Sequence, residues 1–399
     1  MIPYILMAFL YLLAAALMAL QASFTSFNIS PWFNGMVWLR VHLITLGMLT
    51  QIMYGALPIL TAKHYGISRP TMRWDIWATL NIGLVLLLIG IPLVNSLPII
   101  AGGTLIFIST ILLIVQLSKM RAASKQKRVA SAGRKFYIAG LLYFLIGILV
   151  GTGLFTGWAK PLGIVGNAKE VHIHANNWGL MSLIFAGLIV DLYPSWTKRP
   201  LANPRSITPI FWMMTIGAFG LVFGPWFNSR QLLVPGLILH LIATTWLLVN
   251  AIQPLWVYPS ARSIGIVHII TSYFWILAPI FAAPFILLGI GNLPGATIEG
   301  TAPQALVYGW LLQFSIGIVP YFFQRFLFND EFAQLGGTKL SFVMVNLGSI
   351  FLWVSIFMEP SRSILQGTAY LLWAIALLAV AIDLWQKIQM GLARIETAV

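Results

Sequence analysis

The sequence contains no cysteine among its 399 residues, and only 8% of those residues are charged. Without cysteine the chain can form no disulfide, thiolate-ligated iron–sulfur cluster, thiolate haem or covalently attached c-type haem. Any metal that it binds must therefore use nitrogen or oxygen ligands. A soluble domain carries about three times this fraction of charged residues, so the chain cannot cover a surface that faces water.

Hydrophobic residues make up 59% of the chain and occur in long uncharged runs, such as 80–117 and 363–382. A helix needs ~20 apolar residues to cross the hydrocarbon core of a membrane, and these runs reach or exceed that length. We predict an all-α integral membrane protein with about twelve transmembrane helices in one domain over 1–399, its first helix retained. The predicted helices are 4–21, 36–60, 75–95, 98–117, 136–156, 172–193, 208–226, 232–251, 264–288, 303–324, 340–358 and 366–386.

The net charge of +14 is confined to predicted loops and helix ends. The tail and the loops after even-numbered helices carry 18 of the 23 lysines and arginines, which predicts cytoplasmic termini in a prokaryotic inner membrane. The most basic connection, Lys119 to Lys135, has seven basic residues and no acidic one. We expect it to lie near anionic lipid, and no folded nucleic-acid-binding module accompanies it.

Three predicted helices share a spaced pattern, in which glycine follows a polar residue five and thirteen positions later. The matched sets are His42, Gly47 and Gly55; His174, Gly179 and Gly187; and Gln304, Gly309 and Gly317. Such a glycine spacing can also arise from close helix packing, because glycine is common in packed membrane helices. Because the copies recur at about a third of the chain length, we predict three pseudo-symmetric four-helix units, approximately 1–130, 131–260 and 261–399.

Four histidines lie near the predicted outer ends of membrane helices, where an ionisable side chain is costly and usually faces the interior, a pore or a cofactor. His42 and His174 occupy equivalent positions, so we predict that they ligate the iron of one low-spin haem b. His172 precedes His174 by two residues, about 200° around a helix. It therefore faces a second haem or metal, for which His240 lies at a compatible depth.

Other roles for these histidines are hydrogen bonds between helices or a proton relay. We expect a structural role for His268, at the opposite face, and a solvated loop position for His64. The glycines of the repeated pattern would leave room for a flat porphyrin, or would permit close helix packing. Cations for the haem propionates would come from Arg40, Arg230 and Lys169, which lie toward the same outer face.

Twelve helices in three units, a histidine on helix two and a His-x-His pair resemble the catalytic subunit of the haem-copper oxidase and nitric oxide reductase superfamily. The closer resemblance is to its short relatives, including the NnrS-type membrane proteins. Its specific part is the sequence VHLITLG at 41–47 and VHIHANNWG at 171–179. The resemblance implies electron transfer, or nitric oxide or oxygen binding or reduction, with redox subunits or a soluble electron carrier as partners.

The sequence departs from that family in two respects. The catalytic subunits carry His-x-His on helix ten and copper-binding histidines on helix seven, whereas predicted helix seven, 208–226, contains no histidine. Copper is thus less expected than haem b. The nine acidic residues lie in loops or near helix ends, which does not favour a proton-pumping oxidase.

We therefore predict a haem b-binding redox protein, and leave open whether it is an oxidoreductase or a redox subunit. The alternatives are a transporter or channel with a histidine proton relay, and a scaffolding membrane subunit without a cofactor.

Overall fold

A computed structural model describes residues 1–31, 36–123, 132–291, 293–328 and 333–397. Within these ranges the chain forms twelve helices that are long and apolar enough to span a membrane, and no strand. The protein is an all-α integral membrane protein, as the sequence predicts. Its helices, α1 to α12 in chain order, are Ile2–Ser26, Met36–Tyr65, Trp74–Leu93, Ser96–Ala122, Gly133–Leu154, Ala168–Thr197, Pro204–Phe227, Arg230–Val257, Ile264–Ile286, Gly295–Leu327, Lys339–Phe357 and Glu359–Ala393.

Several helices extend beyond their predicted bounds. Because α2 continues to Tyr65, His64 lies half-buried in its last turn, and the expectation of a solvated loop is wrong. Helix α6 begins at Ala168 because the Asn167 side chain accepts hydrogen bonds from the first free N–H groups. Of the basic connection between α4 and α5, residues 124–131 lie outside the described part of the chain.

A π-helical turn recurs in α2, α6 and α10. In such a turn each N–H bonds to the carbonyl five residues back instead of four, a rare geometry that often marks functional sites. The three turns are Leu43–Leu49, Ala175–Met181 and Leu306–Leu312. They begin 132 and 131 residues apart, close to the spacing of the repeated sequence pattern, and the three four-helix units stay a prediction.

Each π-helical turn contains a glycine that lies against an aromatic side chain of the preceding helix. The three pairs are Gly47 with Tyr11, Gly179 with Tyr143, and Gly309 with Trp275. A Cβ atom added at Gly47 or Gly309 would lie only 2.7 Å from a ring atom of its neighbour. The glycines therefore allow the two helices of each pair to approach more closely than any other residue would permit.

The chain also divides into two compact units, whose bounds differ from those of the three predicted repeats. The first unit comprises Met1–Gly55 and Ser263–Val399, and the second comprises Ala56–Arg262. In the first unit α1 packs against α12 and the π-helical turn of α2, and α9 packs against α10. In the second unit α3 packs against α4, α5 against α6, and α7 against α8. Helix α10 is the most completely buried helix of the first unit.

Candidate functional site

His174 lies on α6 immediately before the second π-helical turn. Its Nδ1 atom is 2.6 Å from the backbone carbonyl oxygen of Leu221 on α7. Because a carbonyl only accepts, Nδ1 carries the proton, and Nε2 of the neutral ring then bears the free lone pair. No hydrogen-bond partner for that Nε2 is found among the described residues. Histidines that bind metals commonly have this arrangement, in which a backbone carbonyl fixes the tautomer and the ring orientation.

His42 has the same relation to the first π-helical turn. Its Nδ1–H donates to the backbone carbonyl of Trp38, one turn earlier in α2, at 2.6 Å. The unprotonated nitrogen is again Nε2, as in His174. His42 belongs to the first compact unit and His174 to the second, so a haem shared by the two histidines stays a prediction.

The side chains of His172 and His174 diverge, as the spacing predicts. Residues 168–174 form regular α-helix, and His172 donates from Nδ1 to the backbone carbonyl of Gly147 on α5, at 2.8 Å. Its ring lies so close to Gly151 that a larger residue there would displace it. One histidine therefore points toward α5 and the other toward α7.

His240 on α8 is buried and has hydrogen-bond partners at both ring nitrogens. Nδ1 donates to the Met214 carbonyl at 3.2 Å, and Nε2 accepts from the Ser182 hydroxyl at 2.9 Å. These bonds connect α8 to α7 and α6, and the ring packs edge-on against Trp178. The partners of His240 differ from those of His172, so a shared second site stays a prediction that requires Ser182 to release Nε2.

The space beside the repeated glycines is filled by aromatic side chains, so the expectation that it accommodates a porphyrin is wrong. Tyr11 and Tyr143 lie against the glycines of the first two π-helical turns. The later glycines of the pattern, Gly55 and Gly187, contact Tyr4 and Tyr137. Close helix packing, the other predicted role, is what these glycines provide. The histidine nitrogens fit iron, but a haem would have to bind on other helix faces.

Gln304 on α10 occupies the position that is equivalent to His42 and His174. Its Oε1 accepts hydrogen bonds from Arg40 at 3.0 Å and from the Tyr370 hydroxyl at 2.6 Å. The Arg40 guanidinium is 1% exposed and lies 4.3 Å from the centre of the Tyr370 ring. Arg40 thus connects α2 to α10 and α12 within the first unit. Its role as a partner for a haem propionate stays a prediction.

The other two predicted propionate partners lie at helix starts. Arg230 is the first residue of α8 and is exposed, and Lys169 is exposed in the first turn of α6. Exposed basic side chains at such positions suit lipid headgroups as well as propionates. Among the described residues, no three His, Asp or Glu side chains approach closely enough to hold a metal ion.

The acidic residues nearest the membrane interior have local partners. Asp191 accepts from the Tyr137 hydroxyl at 2.9 Å and from the Gly133 backbone N–H at 3.0 Å, which caps the start of α5. Asp383 pairs with Lys387 one turn later on α12. Both carboxylates therefore have structural partners where they lie.

His268, for which we predict a structural role, is fully buried near the start of α9. Its Nε2 lies 3.2 Å from the Ser341 hydroxyl and 3.3 Å from the Thr338 carbonyl, at the first turn of α11. No sequence pattern indicates the carbonyl partners of the histidines, because every residue has a backbone acceptor. A scan against protein-family models and a search of curated proteins both find no match for this chain.

Proposed function

We propose that this chain is a membrane redox protein that binds haem b through Nε2 of His42 and His174. The observation that carries the proposal is the hydrogen bond from each Nδ1–H to a backbone carbonyl at 2.6 Å, directly before a π-helical turn. Both rings are held in the tautomer that presents Nε2 as a ligand. Haem b, when bound, would supply a one-electron couple for electron transfer or for nitric oxide or oxygen chemistry.

The roles of the protein's own residues follow from this assignment. The Leu221 and Trp38 carbonyls orient the two imidazoles and raise their basicity as ligands. His172 points toward α5 and would serve a second haem or metal there. Redox partner subunits or a soluble carrier would supply the electrons. The distribution of lysine and arginine along the sequence favours an outer-face position for the histidines.

An optical spectrum of the purified protein tests the proposal. We expect a Soret band and reduced b-type bands, a low-spin signal that both His42→Ala and His174→Ala abolish, and a different change in His172→Ala. His268→Ala is the matched control, because its imidazole is buried but bonded to the start of α11, and it should leave the spectrum unchanged. A colourless, monodisperse wild-type protein would overturn the proposal, and identical spectra for His172→Ala and His174→Ala would overturn the two-sided assignment.

A transporter or channel is the second candidate function, and the altered hydrogen-bond pattern of α9 at Tyr273 favours it. Discontinuous membrane helices commonly line substrate or ion sites, because their freed backbone groups can bind polar ligands. In this function the histidines would relay protons. Uptake of protons by reconstituted vesicles from a colourless preparation would support it over the haem assignment.

A further inference from the structure

Helix α9 differs from α1 and α5 because its hydrogen-bond pattern changes at Tyr273, whose own backbone stays helical. One segment ends at Ser272 and the next begins at Phe274, whereas α1 and α5 are continuous. The Tyr273 N–H bonds to the Ile270 carbonyl at 3.3 Å, three residues back. Pro279 has no N–H and cannot bond to the Trp275 carbonyl four residues earlier. Backbone groups freed inside a membrane need other partners, and the Ile269 carbonyl, four residues before Tyr273, accepts from the Ser272 hydroxyl at 2.7 Å.

The side chain of Gln313 on α10 faces α9 at the level of this change. Gln313 lies midway between Gly309 and Gly317, which share one side of the helix. Gly309 contacts Trp275, after the change in pattern, and Gly317 contacts the carbonyl of Gly265, before it. Gln313 therefore points between these two contacts, at the level of Tyr273 on α9.

Two buried polar groups at this level have no hydrogen-bond partner among the described residues. Gln313 is 0% exposed, and neither its Oε1 nor its Nε2 is bonded. The hydroxyl of Tyr273 is equally buried and also unbonded. The Tyr273 ring lies 6.0 Å from that of Trp310 and 6.2 Å from that of Phe314, which places it against the same part of α10. Leaving such groups unpaired is costly, so a buried ligand is the usual explanation.

The second repeat supplies an internal control for this position. Leu183 lies four residues after Gly179, as Gln313 lies four residues after Gly309, and it is fully buried. Its partner helix α5 is continuous. The second helix pair thus packs without a polar residue here. The first has the fully buried Gln51 at this position beside a continuous α1, so a glutamine here does not depend on the change in α9.

We propose that internal water binds between the Gln313 amide and the Tyr273 hydroxyl, where α9 packs against α10. Water fits because it donates and accepts, and Gln313 presents an acceptor and two donors. A cation such as sodium would satisfy the Gln313 oxygen and leave its Nε2 unpaired. An internal water with two to four polar partners is a regular structural component of proteins. This water site does not depend on the proposed haem or on its proposed ligands, His42 and His174.

Radiolytic hydroxyl labelling of the purified full chain tests the proposal, because buried side chains are labelled where bound water lies beside them. Tyr273 should be labelled despite its burial, and Gln313→Met should reduce that labelling severalfold. Tyr193 is the matched control, because it is equally buried but its hydroxyl donates to the Ala251 carbonyl at 2.7 Å. Labelling of Tyr273 at or below the level of Tyr193 would overturn the proposal.

Thermal unfolding gives a second, independent measurement. If water bridges the site, Gln313→Met and the milder Tyr273→Phe should each lower the unfolding midpoint, because each removes a bonded partner. If the groups are unpaired, the same apolar replacements should raise the midpoint, and the proposal fails. Replacing choline chloride by sodium chloride should leave the wild-type midpoint unchanged. A rise specific to sodium would assign the site to a cation instead of water.

Discussion

Helices α6 and α10 both contain a π-helical turn, but different polar residues precede it. Both contain a seven-residue π-helical turn with a glycine against an aromatic side chain of the preceding helix. Before the turn, α6 has His174, which donates to a backbone carbonyl. The equivalent Gln304 of α10 accepts from Arg40 and Tyr370. The π-helical turn is therefore maintained where no histidine accompanies it.

This difference distinguishes the residues that pack the helices together from the residues that could bind a ligand. The turn and its glycine bring two helices together in every repeat, whatever residue precedes them. The side chain before the turn then decides what that position can bind. Imidazole presents a nitrogen lone pair that can ligate iron, whereas the amide of Gln304 is already engaged by two side-chain donors inside the first unit.

The strongest test of the packing role replaces the glycines. We expect Gly179→Ala in α6 and Gly309→Ala in α10 each to destabilise the protein by about 3 kcal/mol, because the added Cβ overlaps Tyr143 or Trp275. Denaturant titration of purified variants measures the free energy of unfolding. Equal losses of unfolding free energy would support a packing role for the glycine in both helices. A loss confined to Gly179→Ala would contradict a common packing role.

The control for this experiment is Gly300→Ala, which lies in α10 with no atom within 4 Å of an added Cβ. Alanine is the better helix former, so this variant should gain up to about 1 kcal/mol. A destabilised Gly300→Ala would show that α10 tolerates no substitution at all.

A smaller effect is expected from the polar group that distinguishes α10. Gln304→Leu removes the acceptor that Arg40 and Tyr370 share, and leaves two buried donors with one partner fewer. We expect a loss of about 2 kcal/mol in the free energy of unfolding. Gln304→Glu keeps the acceptor oxygens and should recover most of that loss. Should Gln304→Leu remove the haem spectrum while the protein stays folded, the third repeat would belong to the site.

The sequence predicts the helices and the divergence of the His-x-His pair because each rests on local periodicity, whereas the threefold repeat stays a prediction. Long apolar runs identify the membrane spans. Two residues that are two positions apart on an α-helix point about 200° away from each other. The π-helical turns could not be predicted, since seven residues are too few to distinguish their period from that of an α-helix. The role expected for the glycines was wrong because an equal spacing of glycines suits a tyrosine neighbour as well as a porphyrin.

Contacts between residues that are far apart in the chain also could not be predicted from the sequence. Arg40 and Gln304 are 264 residues apart in the chain, and their hydrogen bond depends on how the first unit assembles. The partners of His42 and His174 are backbone carbonyls, which every residue has. Sequence could therefore propose which histidines matter, whereas the nitrogen that each presents follows only from the structure.

The beginnings of the two helices provide the mildest test. Asn167 caps α6 by accepting from the N–H groups of Lys169 and Glu170, whereas α10 begins after Pro294 with no side-chain cap. We expect Asn167→Ala to cost about 1 kcal/mol and to speed hydrogen exchange in the first turn of α6. His172 lies in the next turn, so a cofactor signal that depends on it should broaden, whereas Asn167→Ser should restore both cap and signal. Equal exchange rates in the Ala and Ser variants would mean that tertiary packing, and not the cap, positions the start of α6 and its histidines.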